Sequence, residues 1–260
     1  MDDNVVKCEK TGLFLVPASG ETAYRIAKTS YGPMNPQVRP PKGRRADWGR
    51  FDVPGRRTIY AASTQDCSYA ESLAFARPDI GNVELSEVFD DEPDGTTLLD
   101  EVEKEWREAG HMRPGDIPAG WRRERLMHEL SLPSSGWFIG IDYPESIAAV
   151  TDNLGPALSM AGITSLTTAH LHGENRDLTT SIATWVWDQI LFDGSLPHGI
   201  VYSSKHGAGW RCWAIWLRAM DDGKPVTSEP TSANTGLEIR GPSHNKPFRR
   251  VCDLFNLHCH

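Results

Sequence analysis

Three segments of this chain carry side chains that could do chemistry together. The first is TAYRIAKTSYGPMNP near the start of the chain, and the second is WGRFDVPGRRTIYAASTQDCSYAES. The third is DLTTSIATWVWDQILFDGSLPHGIVYSSKHGAGWRCWAIW in the last third of the chain. The candidate side chains in these segments are Arg25, Arg50, Tyr60, Glu71, Ser203 and Ser204.

These residue types suit the parts of a nucleotide. Arginines beside a loop rich in Gly and Pro offer planar, two-point donors that bind phosphate well. A tyrosine near a strand end can stack on an aromatic ring. A glutamate just inside the next helix can bind sugar hydroxyls and stabilise positive charge developing at a sugar carbon, as carboxylates do in glycosidic cleavage. Together with a serine pair that can hold a ribose or phosphate oxygen, they describe a site for a nucleotide such as NAD.

Each residue also has an ordinary structural interpretation. Arg50 fits a surface ion pair, and Tyr60 fits a position in the core. Glu71 fits a solvated helix position, and Ser204 fits a turn. The residue types alone leave both interpretations open.

Composition narrows the class of protein. A chain of 260 residues is long enough for one large domain or two small ones, and a net charge of −8 disfavours general binding to nucleic acid or to an anionic membrane. Five cysteines without a CxxC pair predict a reducing compartment rather than a disulfide framework. The chain starts without an apolar signal segment and has no run long enough to span a bilayer, so we expect a soluble, cytoplasmic protein.

Several common motifs are absent from the sequence. There is no GxxxxGK[ST], no GxGxxG after a strand and no GxSxG, so a P-loop, a Rossmann site and an α/β-hydrolase have no support. His170 and His172 with Glu174 would align on one face of a strand, but no further ligands follow at suitable spacing. The terminal LHCH, with Cys252 upstream, lies in a poor place for a rigid site. We therefore expect no metal.

The surrounding elements alternate irregularly, which predicts an α+β fold in one domain. Residues 30–57 hold five Pro, four Gly and seven Arg or Lys, and are predicted to form a long loop. Strands are predicted at TIYAAS, VELSEVF, TTLLD, SSGWFIGIDY, HGIVYSS and RCWAIWLRAM, with a turn at DDEPDG. Helices are predicted at DCSYAESLAFAR with Asp66 as N-cap, at EVEKEWREA, RRERLMHELSL and PALSMAG, and over residues 177–192. No structure is assigned to the tail from residue 221.

The amino-acid sequences of these segments resemble the motifs of the RES domain family, which is named for its Arg, Glu and Ser. Its central motif is similar to GRFDVPGRRTIYAASTQDCSYAES here. Its closing motif resembles DLTTSIATWVWDQ, then HGIVYSSKHG, then CWAIW, and the pair Tyr24-Arg25 matches its opening strand. One departure is that the family writes YPS where this chain writes YSS, which leaves open whether Ser203 or Ser204 acts.

The resemblance implies a fold like that of ADP-ribosyltransferases, with two small sheets around an NAD cleft flanked by helices. It implies an enzyme that cleaves the nicotinamide–ribose bond of NAD, with water or inorganic phosphate as acceptor and no other cofactor. Arg25 and Arg50 would bind phosphate, and Tyr60 would position the nicotinamide or its ribose. Glu71 would stabilise the transition state, and Ser204, with or without Ser203, would complete the ribose or phosphate contacts.

The resemblance covers roughly residues 22–218, and we assign residues 1–220 to an NAD-consuming domain. Residues 78–170 would form an insertion in it, and residues 221–260 a C-terminal extension. It also implies a toxin of a bacterial toxin–antitoxin pair, hence an antitoxin partner. Two alternatives are a protein ADP-ribosyltransferase that uses the same site and a non-catalytic NAD-binding module.

Overall fold

The computed structural model describes residues 6–78, 83–90, 95–223 and 228–260. The fold within them is α+β, as predicted, with helices packed on a large mixed sheet. The strands are β1 (Val6–Lys7), β2 (Phe14–Pro17), β3 (Thr22–Lys28), β4 (Thr58–Ala62), β5 (Asp116–Ile117), β6 (Arg125–Ser131), β7 (Trp137–Gly140), β8 (Gly199–Ser203), β9 (Arg211–Trp216), β10 (Thr231–Ser232), β11 (Leu237–Glu238) and β12 (His258–Cys259).

Within the described residues, all the helices lie after β4, between Gln65 and Phe255. They are α1 (Gln65–Leu73), α2 (Leu98–Glu108), α3 (Ala119–Arg123), α4 (Pro144–Asn153), α5 (Gly155–Met160), α6 (Thr168–His172), α7 (Arg176–Trp187), α8 (Arg218–Asp222) and α9 (Lys246–Phe255). Among the described residues, none of these helices has the length and apolarity needed to cross a membrane.

The main sheet has ten strands in the order β1-β2-β7-β8-β9-β4-β3-β6-β10, and β11 also pairs with β6. The neighbouring strands are antiparallel except for the parallel pair β7 and β8. A separate parallel pair joins β5 to β12. Within the described residues, the strands therefore form one large sheet and a separate two-stranded pair, instead of the two small sheets expected from the sequence.

The large sheet is nevertheless divided in its middle. Strand β3 pairs with β6 along its whole length, and β4 pairs with β9 along its whole length. Between β3 and β4, however, the register includes a single pair, Tyr24 with Ala62. The two halves of the sheet therefore diverge beyond this pair, and the gap between them opens the cavity described below.

Most predicted elements near the candidate residues are confirmed. Residues 30–57 contain no helix or strand, and TIYAAS forms β4. HGIVYSS contains β8, and WFIG of the predicted SSGWFIGIDY strand is β7. RCWAIW of the predicted RCWAIWLRAM strand is β9, whereas its last three residues begin α8. PALSM of the predicted PALSMAG helix lies in α5. The helix predicted over 177–192 is α7, which is capped by Asn175 and ends at Trp187, so residues 188–192 are not helical.

Four predictions of local structure are wrong. RRERLMHELSL is helical only in its first two residues, which end α3, because pairing with β3 at seven positions makes Arg125–Ser131 strand β6. TTLLD is not a strand, because Thr97 and Asp100 form a capping box that starts α2. VELSEVF contains a 3₁₀ turn at Leu85–Glu87 instead of a strand. The N-cap of α1 is Thr64 rather than Asp66, because its hydroxyl accepts from the Cys67 amide at 3.1 Å.

The predicted insertion and the predicted C-terminal extension both contribute strands to the main sheet. Within residues 78–170, strands β6 and β7 belong to the main sheet. The tail from residue 221, for which no structure was expected, supplies β10, β11 and helix α9. The predicted turn at DDEPDG falls largely outside the described residues.

Helix α9 packs directly on the helix that carries Glu71. Phe248 is fully buried, with its ring centroid 5.0 Å from that of Tyr69 on α1 and 6.1 Å from that of Trp121 on α3. Asn245, the N-cap of α9, donates from Nδ2 to the Tyr69 hydroxyl at 2.8 Å. The C-terminal extension therefore supports α1 through contacts with Tyr69.

We expect Phe248→Ala to destabilise the whole domain by about 3 kcal/mol or more, because it removes a buried ring shared by three helices. Urea denaturation followed by tryptophan fluorescence measures this loss. The exposed Leu254→Ala on the same helix is the control and should change stability by less than about 0.5 kcal/mol. Equal stability of the two variants would show that α9 is not part of the cooperative core.

Candidate functional site

A cavity of about 470 Å³ lies where β3 and β4 diverge. Strands β3 and β4, helix α1, the long loop before β4 and the loop after β8 all contribute side chains to it. Its lining includes four cationic side chains and two carboxylates, which are Arg25, Arg50, Arg176, Lys205, Glu71 and Glu174. In a chain with a net charge of −8, this concentration of positive charge favours an anionic ligand.

The carboxylate of Glu71 is fixed from two sides. Arg50 donates from Nη2 to Glu71 Oε2 at 3.2 Å, and Ser204 donates from its hydroxyl to Oε1 at 2.7 Å. The Ser204 hydroxyl itself accepts from the His206 amide at 3.1 Å. About a quarter of the Glu71 side chain remains exposed, on the wall of the cavity. The carboxylate is thus held in one orientation while it still faces the space that a ligand would fill.

Arg50 is buried, with 8% of its surface exposed, and its guanidinium spans the site. Its Nη1 donates to the carbonyl oxygen of His172 at 3.2 Å, while Nη2 reaches Glu71. The guanidinium also lies over the ring of Tyr202, 5.2 Å from its centroid. The loop residue Arg50 therefore ties α1 to α6 and β8, and the interpretation as a surface ion pair does not apply.

Tyr60 is held by its hydroxyl. It donates to Asp52 Oδ1 at 2.9 Å and accepts from the Phe51 amide at 3.0 Å. Asp52 is buried, and its other oxygen accepts from Arg39 Nε at 2.5 Å and from the Gly49 amide at 2.8 Å. Burial, with the negative charge of Asp52, raises the pKa of Tyr60 well above its usual value. The hydroxyl is thus neutral and committed to the loop, which leaves the rest of the side chain to line the cavity.

The close approach of the loop to Tyr60 requires a glycine. A Cβ at Gly49 would collide with the phenol ring of Tyr60. Gly49 thereby lets the loop pass close enough to Tyr60 for Asp52 to accept a hydrogen bond from the tyrosine hydroxyl.

Arg25 differs from Arg50 because no carboxylate of the described residues forms a salt bridge with it. Its Nη1 donates to the Tyr60 carbonyl oxygen at 3.2 Å, and its Nε is buried without a hydrogen-bond partner. Burial lowers the pKa of Arg25 to about 10, against the opposing effect of Tyr60 and Asp52. Arg25 therefore presents an unneutralised positive charge to the cavity.

The two candidate serines lie on opposite sides of β8. Ser204 is buried and contacts Glu71, whereas Ser203 is exposed at a second, smaller cavity of about 160 Å³. The Ser203 amide donates to Asp142 Oδ2 at 2.5 Å. Because successive strand residues face opposite ways, the structure brings Ser204 and not Ser203 to the other candidate residues.

The structure adds residues to the site that the sequence did not single out. Asp52 stands inside the GRFDVP motif and Tyr202 directly before the serine pair, so both lay within the quoted segments. Lys205 directly follows the serine pair in the third quoted segment, and Arg176 directly precedes that segment, but neither was recognised as a site residue. Cys212, on β9, lies with its thiol 3.8 Å from Glu71 Oε1.

The histidine pair considered for metal binding is not on a strand. His170 and His172 belong to α6, where residues two apart face different directions. His170 Nδ1 accepts from the Thr167 amide at 3.1 Å. Within the residues that the structure describes, no group of three or more His, Cys, Asp or Glu side chains is arranged to hold a metal ion.

Comparisons with known proteins give little that can be carried over. No protein-family model matches the chain, and no curated protein matches it. A solved structure of the M. tuberculosis MbcT-MbcA toxin–antitoxin complex is similar over 85% of this chain and 88% of the other chain, at 12% identity and a TM-score of 0.41. A TM-score this low does not establish a shared fold, so the residues of the site must carry any functional conclusion.

A fully buried histidine stands beside the site. His128 on β6 pairs in register with Arg25, has no exposed surface, and has no hydrogen-bond partner for either ring nitrogen. Burial, together with the positive charge of Arg25, lowers the pKa of His128. In the unfolded chain this histidine takes up a proton near pH 6.5, whereas the folded chain resists it. The folded state should therefore lose stability as the pH falls below about 6.5.

We expect His128→Met to remove the share of this loss that His128 causes. The free energy of unfolding is measured by urea denaturation at several pH values from about 7.5 to about 5.5, a range that spans the titration of a histidine. It should fall less for the variant than for the wild type as the pH decreases. The exposed His244→Met is the matched control and should follow the wild type. The same pH dependence for His128→Met and wild type would contradict a neutral, desolvated His128.

Proposed function

We propose that this chain is an NAD-consuming enzyme that cleaves the bond between nicotinamide and ribose. The observation that carries the proposal is the Glu71 carboxylate, held by Arg50 and Ser204 on the wall of a cation-rich cavity. A fixed carboxylate of this kind is what a reaction with developing positive charge at a sugar carbon requires.

The convergence of residues that are distant in sequence supports the resemblance to the RES domain family. One cavity is lined by Arg25, Arg50, Tyr60 and Glu71, although Arg25 and Glu71 are on different elements. Ser204, 133 positions after Glu71 in the sequence, donates a hydrogen bond to the Glu71 carboxylate. On this proposal the sheet corresponds to the ADP-ribosyltransferase-like arrangement, with its two halves on either side of the gap between β3 and β4.

The residues divide the chemistry among themselves. The unneutralised guanidinium of Arg25 binds a phosphate oxygen of the dinucleotide, because charge-assisted hydrogen bonds to phosphate are strong. Tyr60 supplies a surface for the nicotinamide or its ribose. Glu71 accepts hydrogen bonds from ribose hydroxyls and stabilises the oxocarbenium-like transition state.

The bond that breaks is the glycosidic bond from the ribose carbon to the nicotinamide nitrogen, and its electron pair leaves with nicotinamide. Since nicotinamide in NAD is already cationic, it leaves as a neutral molecule and needs no proton donor or metal. Water or inorganic phosphate then bonds to the ribose carbon and gives up a proton, so the products are nicotinamide and ADP-ribose or its phosphorylated form. Catalysis is positioning together with electrostatic stabilisation.

The resemblance to the RES domain family also suggests a biological role, which we include in the proposal. A chain of this kind would be the toxin of a bacterial toxin–antitoxin pair, and its antitoxin would block access to the cavity. A protein acceptor in place of water or phosphate would make the same site a protein ADP-ribosyltransferase. Transfer of labelled ADP-ribose to protein, without free ADP-ribose, would distinguish that outcome.

We expect Glu71→Gln to lower the rate of nicotinamide release by about a hundredfold or more, because the amide keeps the shape of the side chain and removes its charge. Chromatographic measurement of released nicotinamide gives the rate, and the melting temperature reports the fold. The exposed Glu108→Gln on α2 is the matched control and should behave as wild type. Release by Glu71→Gln at the wild-type rate would exclude Glu71 from the mechanism.

We expect Arg50→Lys to lower kcat/KM for nicotinamide release by about tenfold or more. An ammonium group cannot reach Glu71 and the His172 carbonyl at once, as the planar guanidinium does. The exposed Arg123→Lys serves as the control for the same chemical change. Wild-type kinetics for Arg50→Lys would show that the two-point contact is not needed.

A further inference from the structure

Two cations on the cavity wall share a single carboxylate. Arg176 donates from Nη2 to Glu174 Oε2 at 2.6 Å, and Lys205 donates from Nζ to Glu174 Oε1 at 3.1 Å. Glu174 lies just before α7 and Lys205 just after β8, and all three side chains line the same cavity as Glu71. The Glu174 carboxylate therefore occupies the space between two positive charges.

The position of Arg176 does not depend on Glu174. Its Nε donates to the Trp48 carbonyl oxygen at 2.9 Å, and its Nη1 donates to the Gly173 carbonyl oxygen at 3.0 Å. These two bonds orient the guanidinium from the protein side, with the Nη2 group directed to Glu174. If the carboxylate moved away, the guanidinium would stay in place with one donor free.

Glu174 itself is weakly held. Its side chain is 71% exposed, and its contacts among the described residues are these two cations. Burial opposes its ionisation, but the hydrogen bond from Lys205 and the charge of Arg176 outweigh this and lower the pKa of Glu174. An exposed carboxylate on a loop loses little when it swings into water, because exposed ion pairs are weak.

We propose that Arg176 and Lys205 form an anion subsite for a phosphate group, and that the Glu174 carboxylate fills this subsite until the ligand displaces it. A phosphate offers at least two oxygens in the place of the two carboxylate oxygens, and both inorganic phosphate and a diphosphate as a whole carry more negative charge than one carboxylate. The identification of the ligand as a phosphate rests on the function proposed above. The replacement of the Glu174 carboxylate by another anion rests only on the contacts of Arg176 and Lys205. The phosphate has two possible sources, the diphosphate of the dinucleotide or free inorganic phosphate as acceptor.

The subsite explains why the carboxylates are placed as they are. Glu71 is tied to Arg50, and Glu174 is tied to Arg176 and Lys205, which leaves Arg25 without a carboxylate. Displacement of Glu174 would free two further cations on the same wall. Glu174 is then a positioning residue that competes with the ligand, and its removal should strengthen anion binding.

Calorimetric titration of the full chain with ADP, and separately with inorganic phosphate, tests this inference. We expect Glu174→Gln to bind the anion about threefold more tightly, in keeping with the modest strength of exposed ion pairs. Lys205→Met should bind it about tenfold more weakly, since one charge-assisted hydrogen bond is lost, and Lys205→Arg should restore binding. The exposed Lys28→Met is the matched control, and adenosine, which lacks phosphate, should bind all variants alike.

The two arms identify the source of the phosphate. Effects on ADP assign the subsite to the diphosphate, and effects confined to inorganic phosphate assign it to the acceptor. Unchanged or weaker anion binding by Glu174→Gln, with Lys205→Met like wild type, would overturn the subsite, as would a wild type that binds neither anion. Nicotinamide release is measured in a separate assay. If the variants bind the anions as predicted but the protein leaves NAD intact, the subsite is supported and the proposed function is rejected.

Discussion

The site depends on the hydrogen-bonded contact of Arg50, Glu71 and Ser204. The guanidinium and the serine hydroxyl each hold one oxygen of the Glu71 carboxylate. Through this contact a loop, a helix and the end of a strand meet at one point. Without it, α1 would still form, but its glutamate would be one more mobile surface carboxylate, and no negative charge would be fixed at this point of the cavity wall.

The fold supports this contact from several directions. The single pair between β3 and β4 joins the halves of the sheet and lets them diverge, which creates the cavity beside Glu71. Asp52 and Tyr60 fix the loop that carries Arg50, and Gly49 makes their close approach possible. Helix α9 packs Phe248 against Tyr69 on α1. The cationic wall of the cavity is thus built on a rigid frame, while the exposed Glu174 is the part that can move.

Much of this site could be predicted from the sequence because its residues stand in short, distinctive segments. The loop over 30–57, strand β4 and helix α7 follow from local composition and periodicity. Strand β6 could not be predicted in this way, since pairing with β3 overrides a helix-like spacing of apolar residues. The start of α2 and the whole of α9 did carry signals, a Thr97–Asp100 capping box and an Asn245 cap before an apolar helical face. Lys205 stood beside the serine pair in a quoted segment, whereas Arg176 carried no such signal, because only the tertiary fold brings it to the cavity.

We propose that the fixed carboxylate of Glu71 serves the cleavage of a nicotinamide–ribose bond. Mass spectrometry of the products, after purified wild-type protein is incubated with NAD with and without inorganic phosphate, tests this proposal. We expect nicotinamide together with ADP-ribose, or with phosphorylated ADP-ribose in the samples that contain phosphate. Intact NAD in every sample, with no ADP-ribose transferred to any added protein, would contradict it.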